Sequence, residues 1–185
     1  MVLVLSGVGK IQASLATTLL CERYMPQWLI NIGIAGNLKG NQAEIGEVFL
    51  MREVRQHDLY LPFEGEHLAY AKEAMVLPEW RMPEQERDFV LQYGGIAVTG
   101  DQFVDDEQKV QLLFEQTGAD VVEMEAFAFA SVARAFGKLQ NTIIIKAISD
   151  GADDQAKLAH MDNLDFAMRN SIVILQEILE HIVQD

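Results

Sequence analysis

Val122-Glu123-Met124-Glu125-Ala126, followed further along by Ile143-Ile144-Ile145-Lys146-Ala147-Ile148-Ser149-Asp150, decides how this chain is read. The second stretch is apolar at almost every position, as in a strand covered on both faces, and it ends in two polar residues. The first puts two carboxylates between a short apolar run and a segment of small and aromatic residues suited to a helix. In α/β sheets, side chains at strand ends project into a crevice where ligands bind. Two such carboxylate-bearing ends suggest a nucleoside site, with one acid to grip a vicinal diol and another reaching past the sheet edge.

Working outward, Val2–Leu5 reads as a buried strand. Ser6-Gly7-Val8-Gly9-Lys10 reads as a glycine turn leading into a helix from about Ile11 to Tyr24. Trp28–Ile32 is a second strand, ending in Gly33-Ile34-Ala35-Gly36, whose small residues let backbone approach a ligand. Glu47–Arg55 alternates as a strand. Residues 61–86 hold prolines at 62, 78 and 83 and show no clean period, so they read as a long excursion with at most one short helix near Glu84–Leu91. Further strands are expected at Gly95–Thr99, Ala119–Val122 and Thr142–Ile148. Helices are expected at Asp105–Gln116, Met124–Phe136 and Asn163–Val183, the first capped by Asp105 or Asp106. Strands alternating with helices throughout predict one three-layer α/β domain over residues 1–185.

Composition narrows the function classes. Half of the 185 residues are hydrophobic, enough for a globular core. The formal charge of −14, with basic residues scattered, argues against nucleic acid as a partner and fits a solvated surface. Apolar runs fall far short of a membrane span. Cys21 is the only cysteine, so no disulfide framework is expected, and a reducing cytoplasm is the expected location. Met1 leads directly into Val2–Leu5 without a basic leader, so no signal peptide is expected. The histidines at 57, 67, 160 and 181 show no ligand spacing, and no metal site is expected.

Ser-Gly-Val-Gly-Lys at 6–10 lacks the spacing and the Lys-Ser/Thr ending of a phosphate-binding Walker loop. Taken in order with Asn-Ile-Gly-Ile-Ala-Gly (31–36), Gly-Asp-Gln-Phe-Val (100–104), Val-Glu-Met-Glu-Ala (122–126) and Ala-Ile-Ser-Asp-Gly-Ala-Asp (147–153), it resembles the nucleoside phosphorylase and nucleosidase superfamily. Within that superfamily the chain is most similar to the 5′-methylthioadenosine/S-adenosylhomocysteine nucleosidases. The similarity runs from Ser6 to the terminal helix and is poor over residues 61–94.

The resemblance implies a three-layer αβα fold with a twisted mixed central sheet, no cofactor, a small-molecule purine nucleoside as substrate, and a homodimer. It implies that Phe103 stacks on the purine and the Val104 backbone reads its Watson–Crick edge. Asp150 would protonate N7 of the leaving base, oriented by Ser149. Glu125 would bind the 2′- and 3′-hydroxyls, with Met124 beneath the ribose. Ala35 and Gly36 would border the ligand, and Lys146 would stand in for the usual arginine beside the ribose. His57-Asp58 matches a motif near the dimer interface, and Leu61 falls where a neighbouring subunit's apolar residue meets the 5′-alkylthio group.

Where the phosphorylases carry a phosphate-binding arginine this chain has Asn31, so water is the expected nucleophile. The family also has a strand and hairpin ahead of the first matched residues, including a glutamate that activates the water, so an N-terminally shortened domain is expected. Ile34 takes the place of a serine near that water. A phosphate-dependent phosphorylase of the same fold and a catalytically impaired nucleoside-binding relative stay open as alternatives. Read alone, Asp150 fits a turn residue, Glu125 a first-turn helix residue, Phe103 and Met124 core filling, and Glu123 a structural acid.

Overall fold

The computed structural model describes residues 1–63, 65, 71–153 and 155–184. Four helices are described: α1 (Lys10–Tyr24), α2 (Glu107–Thr117), α3 (Ala126–Ala135) and α4 (Ala156–Gln184). Six strands accompany them: β1 (Leu29–Asn37), β2 (Val48–Gln56), β3 (Ala74–Val76), β4 (Leu91–Thr99), β5 (Val121–Glu123) and β6 (Thr142–Asp150). They form one mixed sheet in the order β3-β2-β4-β5-β1-β6, and β2 also pairs with β6, so the sheet curls until β6 meets the strand beside the opposite edge. β1 and β6, β2 and β4, and β4 and β5 run parallel; β1 and β5, β2 and β3, and β2 and β6 run antiparallel.

Strand β6 shows why the isoleucine run forms the centre. Its side chains alternate between two cores. Ile144 and Ile148 pack with Phe49, Met51 and the α3 residues Phe127, Phe129 and Ala130. Ile143, Ile145 and Ala147 pack with Val48, Leu50 and the α4 residues Ala167, Ile174 and Ile178. Helices thus lie on both faces of a mixed sheet, as expected. Helix α3 is rich in alanine, and α1 docks on it through Ala13, Thr17 and Cys21, one buried stripe at four-residue spacing. Helix α2 starts with Asp106, whose carboxylate accepts from the Lys109 amide, and ends at Gly118 with φ of 62°.

Four expectations need correction. Val2–Leu5 is neither a strand nor buried: Leu3 is 80% and Leu5 98% exposed. β1 is paired along its length with β6 and only at Gly36 and Asn37 with β5, and Val2–Leu5 pairs with neither. The strand expected to end at Ile32 runs on through Gly33–Gly36 to Asn37, held extended by parallel pairing with β6. The short helix near Glu84–Leu91 does not form; the backbone there stays irregular and enters β4 at Leu91. Within the unreadable excursion, Ala74–Val76 adds an edge strand to β2, an element too short to show a period.

Candidate active site

Strand ends β1, β5 and β6, the loop after β4, the turn before α1 and one face of α4 enclose a cavity of about 480 Å³, within the range for a small-molecule site of roughly 300–1,000 Å³. Ala35, Gly36, Phe103, Val104, Met124, Glu125, Lys146, Ser149 and Asp150 all line it. Leu61, expected to serve a neighbouring subunit, is not part of this chain's own cavity wall.

Asp150 ends β6 and is 3% exposed. Its Oδ1 accepts from the Ala152 amide at 2.9 Å, and its Oδ2 accepts from the Ser149 hydroxyl at 2.7 Å. The β1–β6 register shifts between Ala35 and Gly36, so that Gly36 pairs with Asp150. A Cβ on Gly36 would lie 3.0 Å from Asp150 Oδ1 and 2.9 Å from the Ala152 Cβ, so only glycine leaves the carboxylate its place.

The opposite chemistry gathers around Lys146, fully buried on β6. Its Nζ lies 2.8 Å from Glu123 Oε2 and 3.6 Å from Glu125 Oε2. Glu123 Oε2 also accepts from the Glu125 and Ala126 amides, at 2.9 and 2.8 Å, and so caps the start of α3. Its Oε1 accepts from the Thr99 hydroxyl. The reading of Glu123 as structural agrees with these contacts. Glu125 differs: its side chain is 18% exposed, and Oε1 accepts from the Gly9 amide at 2.9 Å. Gly9, with φ of 91°, turns that amide toward the cavity at the head of α1. One lysine therefore balances two carboxylates, only one of which is open to a ligand.

Phe103 is 43% exposed in the loop after β4, and the adjacent Val104 is buried. The Phe103 ring meets the His160 imidazole edge to face, with centroids 5.5 Å apart. His160, Leu164 and Met168 line the cavity from α4, and their sequence positions showed no ligand pattern. Their four-residue spacing on one helix face is the signal that could have found them. His160 Nδ1 lies 3.4 Å from both Asp150 Oδ2 and Ser149 Oγ. Asn31, on β1, contributes a buried side-chain oxygen that has no hydrogen-bond partner among the described residues.

His57 and Asp58 sit behind the same loop. Asp58 accepts from the Lys10 ammonium at 2.6 Å and from the Asp101 amide at 2.8 Å. Burial would raise the Asp58 pKa, but these hydrogen bonds and the Lys10 charge outweigh it and hold the carboxyl below its usual range. Burial pushes the His57 imidazole down, against a smaller opposing pull from Asp58. Among the described residues no group of three or more His, Cys, Asp or Glu side chains could hold a metal ion. No helix of the described residues is long and apolar enough to cross a membrane.

Comparison with known proteins places this architecture. The phosphorylase superfamily model matches residues 1–183. A 5′-methylthioadenosine/S-adenosylhomocysteine nucleosidase from an Exiguobacterium species is 31% identical, over 99% of this chain and 81% of its own length. The nucleosidase of the same name from Bacillus thuringiensis is 34% identical, over 98% of this chain and 81% of its own. Among solved structures, the Neisseria meningitidis 5′-methylthioadenosine/S-adenosylhomocysteine nucleosidase in complex with methylthio-immucillin-A superposes with a TM-score of 0.81 at 25% identity, covering 96% of this chain and 79% of that one. Futalosine hydrolase of Helicobacter pylori shares the fold, with a TM-score of 0.79 at 23% identity over 95% of this chain and 77% of that one.

Proposed function

Because the chain belongs to the phosphorylase superfamily, we propose that it is a purine nucleosidase hydrolysing the N-glycosidic bond of 5′-methylthioadenosine or S-adenosylhomocysteine to release adenine. The observation that carries this reading is the buried Asp150 carboxyl, held by Ser149 and the Ala152 amide in the same cavity as Glu125 and Phe103. Relatives at 31% and 34% identity bear that nucleosidase name.

The bond breaks through a ribosyl cation with oxocarbenium character, so the site has two tasks: to protonate the departing base and to hold the ribose. Protonated Asp150 gives its proton to N7 of the purine as the C1′–N9 bond breaks. The Ser149 hydroxyl fixes the orientation of that carboxyl. Glu125, its Oε1 fixed by Gly9, accepts hydrogen bonds from the 2′- and 3′-hydroxyls, with Met124 beneath the sugar. The half-exposed Phe103 ring supplies the stacking face and the Val104 backbone meets the edge of the base, while Ala35 and Gly36 let the ligand approach the β1 backbone.

Water is the nucleophile in this reading. Phosphate would need an uncommitted lysine or arginine, and Lys146, which lines the cavity, already faces Glu123 and Glu125. A homodimer belongs to the same reading: Tyr60 and Phe63, just after His57-Asp58, are 82% and 58% exposed, an apolar surface suited to a second copy whose Leu61 would close the 5′ side. A cytoplasmic location fits the lone, buried Cys21 thiol.

The test is adenine release from methylthioadenosine, with and without phosphate, alongside Asp150→Asn. Release independent of phosphate, and reduced about 10²–10⁴-fold in Asp150→Asn, supports the proposal. Release that requires phosphate makes the protein a phosphorylase, and nucleoside binding without release makes it an impaired relative.

A further inference from the structure

Asp150, as the acid of the proposed reaction, is almost wholly withdrawn from solvent: its side chain is 4% exposed, and Ser149 is fully buried. Each turnover moves its proton to the purine, and the carboxylate left behind has to be recharged. Among the described residues, one titratable side chain both lies against Asp150 and reaches water. The His160 side chain is 32% exposed, and its Nδ1 lies 3.4 Å from Asp150 Oδ2 and 3.4 Å from Ser149 Oγ. Distances at the long end of hydrogen bonding are common in ligand-free sites and shorten when substrate fills the pocket. Phe103 packs edge-on against the imidazole, so the residue proposed to stack on the base also holds His160 against the acid.

We propose that His160 is a positioning residue that supplies and holds the proton of Asp150. As imidazolium, His160 donates its Nδ1–H to Asp150 Oδ2. When the carboxyl O–H bond breaks and N7–H forms on the departing purine, the Nδ1–H bond breaks and a new O–H bond forms on Asp150. Histidine becomes neutral and regains a proton from solvent through its exposed edge. No electron transfer and no further reactant is involved. The Ser149 hydroxyl, already donating to Oδ2, keeps that oxygen directed at the imidazole.

The surroundings allow such a cycle. From β6 the charged group facing the ring is Asp150, and from the loop after β4 it meets the uncharged Phe103. On α4 itself, Lys157 lies one turn earlier and is exposed, while Asp153, just before the helix, is occupied by the Gln155 amide. Asp150 is therefore the carboxylate that faces the ring.

This inference rests on the nucleosidase reading, and the experiment separates the two. His160→Phe and His160→Gln are assayed for adenine release from methylthioadenosine across pH 5–9. In parallel the His160 imidazole is titrated by NMR in the unaltered protein and in Asp150→Asn. Expected are a kcat lower by roughly ten- to a hundredfold in both variants, with KM nearly unchanged and the alkaline fall of kcat removed. The NMR titration of His160 is expected to differ between the unaltered protein and Asp150→Asn. An unchanged pH profile in His160→Gln, a loss confined to KM, or a His160 pKa indifferent to Asp150→Asn overturns the proposal. If the unaltered protein releases no adenine, the nucleosidase reading fails, and the titration still decides whether His160 and Asp150 share a proton.

Discussion

The Lys146 ammonium lies 2.8 Å from Glu123 Oε2, and both side chains are almost wholly withdrawn from water, 2% and 1% exposed. Such a pair contributes little net stability over an apolar pair of equal volume, but losing Lys146 strands a buried charge on Glu123, and losing Glu123 leaves Lys146 only the more distant Glu125 at 3.6 Å. Lys146→Met and Glu123→Gln are each expected to destabilise the fold by about 3–5 kcal/mol, read from urea unfolding midpoints. Combined, they are expected to cost less than the sum of the two, since each removes the other's stranded charge.

Glu125 carries a different expectation because it is open to the cavity. Its Oε1 is held by the Gly9 amide, across 116 positions of sequence, leaving the remaining lone pairs for a diol. Glu125→Ala is expected to weaken binding of the ribose by about 1.5–3 kcal/mol, or roughly ten- to a hundredfold in KM for methylthioadenosine. A 2′,3′-dideoxy analogue should bind the variant and the unaltered protein alike, which calorimetry can check.

Gly36→Ala tests how the acid is seated. The added Cβ would sit 2.9 Å from the Ala152 Cβ and 3.0 Å from Asp150 Oδ1. The carboxylate and the turn after it must move, an overpacking cost of about 1–3 kcal/mol. Adenine release is expected to fall far more than stability does, as comparison of kcat with the thermal midpoint will show.

Acid should weaken the fold through His57. Burial, opposed by Asp58 and reinforced by Lys109 and Lys10, lowers its folded pKa below the ordinary value of 6.5. The unfolded chain therefore binds the proton more readily. Stability from the neutral ring is complete above pH 6.5 and is lost progressively as pH falls toward the lowered folded value. Urea midpoints measured from pH 7.5 down to 5 should decline, and His57→Gln should flatten that slope.

The exposed apolar residues after His57 make the assembly measurable. Light scattering is expected to return about twice the 20.7 kDa chain mass, and Tyr60→Glu with Phe63→Glu should shift the protein toward the single-chain mass.

Part of this was legible in the sequence because burial follows period: Ile143–Ile148, apolar on every face except at Lys146, had to be a central strand. The family resemblance carried by the glycine and acidic motifs implied Ser149, Asp150, Phe103, Val104, Met124 and Glu125 as site residues, and all six line one cavity. Tertiary structure decided the rest. The small residues of Gly33–Gly36 read as the end of a strand, yet pairing with β6 carries the strand on through them. Val2–Leu5 has the pattern of a strand, but it joins no ladder and stays exposed. Lys146 found its counterion 23 positions away, and His160 reached Asp150 only because α4 folds back along the cavity. Sequence by itself determines which segments must be buried and which residue types stand at their ends, since both depend on near neighbours. Which buried charge meets which, and which histidine touches the acid, depends on contacts between distant segments, and these exist only once the chain has closed on itself.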